Sequence, residues 1–263
     1  MALMTGVRVR AHIDWTAEQP ATAVLLVRAA HVPGQVVGAE ELHVTNAEVE
    51  DPGPRPDGGA RPLRLHASAG PVRLRYDAHV EVDDAALDTD VMLPTLGGLD
   101  LDLLPWTLPS RYCPSDVLAP TAEHLFTDTP RTGALLEQVR GWVEANVAYV
   151  PGSSDVHTAA DETMLRRQGV CRDLAHLTAT LLRGLGVPAR LVSAYALDLE
   201  PPDFHAVVEA HDGQAWRLLD ATGLAPIGTL ARIVTGRDAA EIAWGTTEGP
   251  LAVDRLEVSV SRT

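Results

Sequence analysis

The chain has 263 residues, 46% of them hydrophobic and only 4% aromatic, and a formal charge of −15. That length allows one large or two modest domains with cores of Leu, Val and Ala. The acidic balance argues against nucleic-acid binding, which needs clustered basic residues, and against docking on anionic membranes.

The start, Met1 to Arg8, lacks the continuous apolar stretch of a signal peptide, and no apolar run approaches a membrane span. Two cysteines make no disulfide framework, so the chain reads as cytoplasmic and reduced. Residues 7–82 alternate in the strand manner. Val7, Val9, Ala11 and Ile13 share one face. Val72, Leu74, Tyr76, Ala78, Val80 and Val82 share another, with Arg73, Arg75, Asp77, His79 and Glu81 between them. Ala23 to Ala30 and Val36 to Val44 read as further strands, and Asp51 to Gly59 as a Pro/Gly loop. This predicts a small all-β, sandwich-like domain without a catalytic set. Its histidines, His12, His31, His43, His66 and His79, are scattered.

Residues 83–120 carry Pro94, Pro105, Pro109, Pro114 and Pro120 and read as the passage between domains, with the division placed at 1–108 and 109–263. Cys113 lies there and reads as a packed structural thiol. Leu135, Leu136, Val139, Trp142, Val143 and Val147 form the stripe of a helix over 132–147. A short helix over 159–167, closed by Gly169, delivers the chain to Cys171. Leu174, Thr178, Leu181, Leu182 and Leu185 then repeat at helical spacing until Gly184, Gly186 and Pro188 stop the helix. Two strands follow, over 203–210 and 216–220.

Cys171 therefore sits in the first turn of a buried helix, where unpaired N–H groups and the helix dipole favour an anion. Taken alone, a free cysteine reads first as a buried packing residue. Its partners point to chemistry. A two-residue turn at Asp212-Gly213 would set Val207 opposite Leu218 and His205 opposite Asp220, with Cβ atoms about 5 Å apart. Trp216 and Leu218 would share the His205 face. A carboxylate there holds one ring nitrogen of the histidine and frees the other to take a thiol proton. Cys171, His205 and Asp220 are the candidate catalytic residues.

At these residues the chain resembles the transglutaminase-like superfamily, in its bacterial branch of cysteine proteases. The likeness is carried by Gly-Val-Cys-Arg-Asp-Leu-Ala-His at 169–176, Leu-Gly-Val-Pro-Ala-Arg-Leu-Val-Ser-Ala-Tyr at 185–195, Asp-Phe-His-Ala-Val at 203–207 and Leu-Asp-Ala-Thr at 219–222. Arg-Tyr-Cys-Pro-Ser-Asp at 111–116 and Gly-Arg-Asp-Ala-Ala-Glu-Ile at 236–242 extend it. The resemblance implies a papain-like α+β catalytic domain with Cys171 as nucleophile, His205 as base and Asp220 as orienting acid.

Such a set forms a thioester acyl-enzyme from an amide or ester. Water then gives a peptidase or amidase, an amine gives a transamidase, and the triad fits both. The arylamine N-acetyltransferase type uses a similar set, but Gln168-Gly169-Val170 stands where its Arg-Gly-Gly-x-Cys approach is needed. The reading from another class is a non-catalytic peptide-binding module on the same fold. The partner expected is a peptide or protein substrate. No Gly-rich phosphate loop occurs, Cys171 and His176 lack zinc-ligand spacing, and no cofactor or metal is called for.

Overall fold

The computed structural model describes residues 4–55, 59–83, 87–249 and 251–263. Met1 to Leu3 of the leader reading and Pro56 to Gly58 of the expected loop lie outside them. Alternation builds the longest strands. β1 (Met4–Ala17) buries Val7, Val9, Ala11, Ile13 and Trp15, and it pairs antiparallel with β6 (Gly70–Asp83), which buries the predicted face from Val72 to Val82. With β3 (Gln35–Thr45) and β14 (Leu251–Arg262) they form a sheet in the order β14-β1-β6-β3. A second sheet runs β13-β2-β5-β4, from β2 (Ala21–Leu25), β4 (Ala47–Glu50), β5 (Leu63–Ala67) and β13 (Gly245–Glu248). The strand expected over 23–30 stops at Leu25; Val27, Ala29 and Ala30 are buried outside any strand.

The last strands were not legible. The division at 108/109 assigns residues 245–262 to the second domain, yet β13 pairs with β2 and β14 pairs with β1 along most of its length. The chain thus closes its first two sheets with its own C-terminal segment. The expected linker also contains a helix, α1 (Ser115–Leu125). Prolines read as breakers, but Pro114 stands at the helix start, where no N–H is needed, and the helix runs through Pro120.

The middle of the chain is α+β. α2 (Gly133–Asn146), α3 (Ala160–Arg166) and α4 (Cys171–Gly184) match the predicted helices within a residue or two. A third sheet, β11-β10-β9-β12, is built from β9 (Ala189–Tyr195), β10 (Phe204–His211), β11 (Trp216–Leu219) and β12 (Ala231–Gly236). α4 packs on β9 and β10 and is covered by α1, α2 and α3, so every residue from Asp173 to Arg183 is buried. A helix enclosed on all sides must satisfy its polar groups internally. Thr178 and Thr180 donate to the carbonyls four residues back, and Arg183 donates to the Ala189 and Arg237 carbonyls.

The sheets meet through buried polar ties. The Tyr195 hydroxyl donates to the Val27 carbonyl at 2.6 Å, and Gln35 both donates to the Arg232 carbonyl and accepts from the Arg232 N–H. One apolar cluster runs from Val7 and Leu74 through Leu136 and Leu177 to Leu191. The core is therefore continuous across the expected boundary.

Candidate active site

The approach to Cys171 is held by backbone pairing. A two-residue strand β7 (Ala148–Tyr149) pairs in parallel with β8 (Gln168–Gly169), and the Val150 N–H donates to the Gly169 carbonyl at 2.8 Å. Val170 is extended, and its carbonyl accepts from Asp173 and Leu174 to start α4. The Asp173 carboxylate, fully buried, folds back to accept from the Val170 N–H at 2.9 Å and from the Ser154 hydroxyl. Arg172 pairs with Asp173 at 3.0 Å and donates to the Asp155 carbonyl at 2.6 Å. Gly169 is dictated by this packing, since a Cβ there would stand 2.6 Å from that of Asp173. Cys171 is thus the first residue of a fixed helix, with its thiol half-buried.

His205 is the second residue of β10 and is 1% exposed. Its Nε2 lies 2.9 Å from Oδ2 of Asp220. Asp220 follows β11, and its other oxygen accepts from the Thr222 N–H and the Thr222 hydroxyl, both at 2.8 Å. With both carboxylate oxygens engaged, the proton between the pair belongs on Nε2. Nδ1 of His205 is buried without a hydrogen-bond partner and faces Cys171, with no closed hydrogen bond to the thiol in this conformation. Burial alone would lower the His205 pKa. The hydrogen bond and charge of Asp220 and the neighbouring Cys171 outweigh it and raise the value to about 9.

The hairpin reaches this geometry by a different turn. β10 and β11 pair Val208 with Leu219, Glu209 with Leu218, Ala210 with Arg217 and His211 with Trp216. The loop is four residues, Asp212 to Ala215, not the two of an Asp-Gly turn. The Asp212 carboxylate is the reason. It accepts from the Gln214 and Ala215 N–H groups at 2.8 Å and from the Arg217 guanidinium at 2.6 Å, so the aspartate folds the loop around itself. The ladder slips by two residues, and a two-residue slip keeps each side chain on its face. Trp216 and Leu218 stay on the His205 face. Val207 does not face Leu218, and His205 meets Asp220 on the diagonal rather than directly across.

Beside the pair lies a cleft of about 590 Å³, walled by Tyr112, Val156, Phe204, Ile242, Trp244 and Leu256, with Cys171 and His205 in its lining. Phe204 and Trp244 stack at 6.3 Å. One wall is carried by α5 (Ala239–Ile242), whose first N–H groups go to Asp238 and to Nε2 of His176. His176 is fully buried against Tyr112, and burial pushes its pKa down to about 4, so it serves as a neutral acceptor. Cys113 is buried beneath, against the His176 carbonyl, and burial raises its pKa. Among the described residues, no three His, Cys, Asp or Glu side chains converge as a metal site.

The structure brings Cys171, His205 and Asp220 together. Sequence reading missed two residues that hold them. Asp173 was visible as an acid in the third helical position, a capping signal. Thr222, two residues after an aspartate, is a turn-former of the kind that clamps a carboxylate.

Comparison with known proteins agrees with this layout. The family model described as "Transglutaminase-like superfamily" matches residues 121–221, which include all three side chains. The crystal structure of a protein named "a Putative Cysteine Protease", from Cytophaga hutchinsonii, superposes with a TM-score of 0.93 at 33% identity, covering 99% of this chain and 91% of that one. An uncharacterized protein of Mycobacterium leprae is 30% identical over 135 residues, 46% of this chain and 47% of its own length. Another from Mycobacterium tuberculosis is 30% identical over 82 residues, 31% of this chain and 26% of its own. The chain thus matches about half, or less, of these curated relatives.

Proposed function

From a chain that belongs to the transglutaminase-like superfamily and resembles a cysteine-protease-like relative over nearly its whole length, we propose a cysteine-dependent amide hydrolase or acyl transferase. Cys171 is the nucleophile, His205 the base and then the acid, and Asp220 the orienting carboxylate. One observation carries this reading. Nε2 of His205 is tied to Asp220 at 2.9 Å, while buried Nδ1 has no partner and faces the Cys171 thiol.

The chemistry follows from those contacts. Nδ1 takes the thiol proton before substrate arrives, giving a thiolate–imidazolium pair at neutral pH, and the Asp220 carboxylate stabilises the imidazolium. The Cys171 sulfur attacks a carbonyl carbon, and the C=O electron pair moves to oxygen. The Cys171 N–H, at the helix start, donates to that oxyanion. Collapse restores the carbonyl and breaks the C–N bond, and the Nδ1 proton leaves with the amine. His205 then draws a proton from water, or from an acceptor amine, which attacks the thioester and returns Cys171 as a thiol. The apolar cleft walls suit an acyl group with an apolar side chain, which favours a peptide or protein substrate over a polar metabolite. The intact constellation weighs against a binding-only module, and two free thiols suit a reducing, cytoplasmic setting.

The test is differential alkylation with iodoacetamide near neutral pH. Cys171 should react at least about tenfold faster than Cys113, and His205→Ala should abolish the difference. Equal rates at the two cysteines in the parent protein would contradict the assignment.

A further inference from the structure

The apolar cleft beside Cys171 has a polar floor. Ser193 stands on β9, the strand flanked by β10 and β12. It pairs directly with Ala206 of β10, so the two side chains share one face of the sheet. Phe204, two residues before Ala206, shares that face. All three line the cleft. Ser193 is only 6% exposed, and the cleft is where that exposure lies. On the helix packed against β9, the buried hydroxyls of Thr178 and Thr180 are spent on carbonyls of α4. Among the described residues nothing bonds the hydroxyl of Ser193. A buried hydroxyl without a partner is costly, so this one marks a place where a partner arrives.

The walls above it are rings. Phe204 packs on Tyr195 at 5.5 Å and on Trp244 at 6.3 Å between ring centroids. Tyr195 is fully buried and tied to the Val27 carbonyl, and the Trp244 carbonyl accepts from the Leu26 N–H at 2.8 Å. The rings are therefore set in place before a substrate enters. Of the other charged side chains in the lining, Arg172 is engaged by Asp173, Asp203 is exposed and His205 serves the triad. The floor itself, Ser193 and Ala206 beside Phe204, carries no charge.

We propose that the cleft is a specificity pocket for a tyrosyl side chain in the acyl half of the substrate, with its ring against Phe204 and Trp244 and its phenol hydroxyl bonded to the hydroxyl of Ser193. This rests on the thioester mechanism above. A phenylalanyl or aliphatic side chain would drive water from Ser193 and leave the hydroxyl buried and unpaired. A charged tip would enter an apolar site with no counter-ion at its floor. A phenol offers a flat apolar body and a neutral group that both donates and accepts. A site built to bond a substrate hydroxyl rejects the analogue that lacks it more strongly than an apolar pocket rejects a missing methylene.

The p-nitrophenyl esters of N-acetyl-tyrosine and N-acetyl-phenylalanine differ by that hydroxyl alone. With the full-length protein, kcat/KM for the tyrosyl ester should exceed that for the phenylalanyl ester by about 10–100-fold. In Ser193→Ala the ratio should fall to about 1, chiefly through loss with the tyrosyl ester. The ratio is taken within one protein, so an inactive fraction does not move it. A parent ratio near 1, or one favouring the phenylalanyl ester, would overturn the proposal without any variant. A ratio unchanged in Ser193→Ala would overturn it as well, leaving Ser193 a packing residue. A protein that forms an acetyl-enzyme from p-nitrophenyl acetate but turns over neither aromatic ester would defeat the pocket alone. One that forms no acetyl-enzyme would defeat the thioester mechanism, and the pocket with it.

Discussion

His205 and Asp220 meet at 2.9 Å although the ladder that carries them pairs neither with the other. The contact is diagonal across β10 and β11. It survives because the loop at Asp212 to Ala215 adds two residues to the turn, an even number, and an even slip conserves the face. A slip of one would have carried the Asp220 carboxylate to the far side of the sheet.

Asp220→Asn should fold, because Thr222 can still bond the side-chain oxygen. Its turnover should fall by about 10²–10⁴-fold, since an amide can donate to Nε2, place the proton on Nδ1 and leave the thiol without a base. Steady-state kinetics with a p-nitrophenyl ester, beside thermal unfolding, separates the two effects. Unaltered turnover would remove Asp220 from the site.

The loop should depend on Asp212, which is 1% exposed and takes three hydrogen bonds. Asp212→Ala leaves two N–H groups and the Arg217 guanidinium without their acceptor. Stability to urea should drop by about 2 kcal/mol or more. A change within a few tenths of a kcal/mol would mean that the turn is set by the strands and not by the carboxylate.

His205 should hold its proton at neutral pH. Its folded-state pKa is raised from 6.5 to about 9. The stabilisation from its ion pairs is therefore complete below pH 6.5 and is lost as pH rises through about 9. Nitrogen NMR of histidine-labelled protein should show one ring, absent in His205→Gln, that stays an imidazolium at pH 7.5. Its disappearance as an imidazolium at or below pH 6.5 would show that Asp220 and Cys171 do not outweigh burial.

Much of this was legible because the signals were local. The alternation of β1 and β6, the stripe of α4 and the residues Cys171, His205 and Asp220 each lie within a short window. What escaped was of two kinds. Asp212 replaced the expected turn by offering its carboxylate to the backbone, a choice that the Asp-Gly pair alone does not reveal. β13 and β14 joined strands more than 200 residues earlier, and no local period records a partner at that separation. α1 was hidden by Pro114 and Pro120, which read as breakers until tertiary packing is known.

That return of the chain has a consequence for dissection. A fragment of residues 109–263 keeps all three site residues but strips β14 of β1 and β13 of β2, and it uncovers the shared core. It should lack a cooperative thermal transition and lose the fast thiol at Cys171. Cooperative unfolding of the fragment, with iodoacetamide labelling as fast as in the whole protein, would show that the first two sheets are dispensable to the fold of the site.

The central claim is that Cys171 becomes an acyl thioester. Mass spectrometry of the protein quenched in acid shortly after mixing with p-nitrophenyl acetate tests it most directly. The expected result is one acetyl group, mapped to Cys171, removed by hydroxylamine, and absent from Cys171→Ala and sharply reduced in His205→Ala. Acetylation confined to other residues, or a Cys171 that stays free while the ester is consumed at the parent rate by Cys171→Ala, would contradict it.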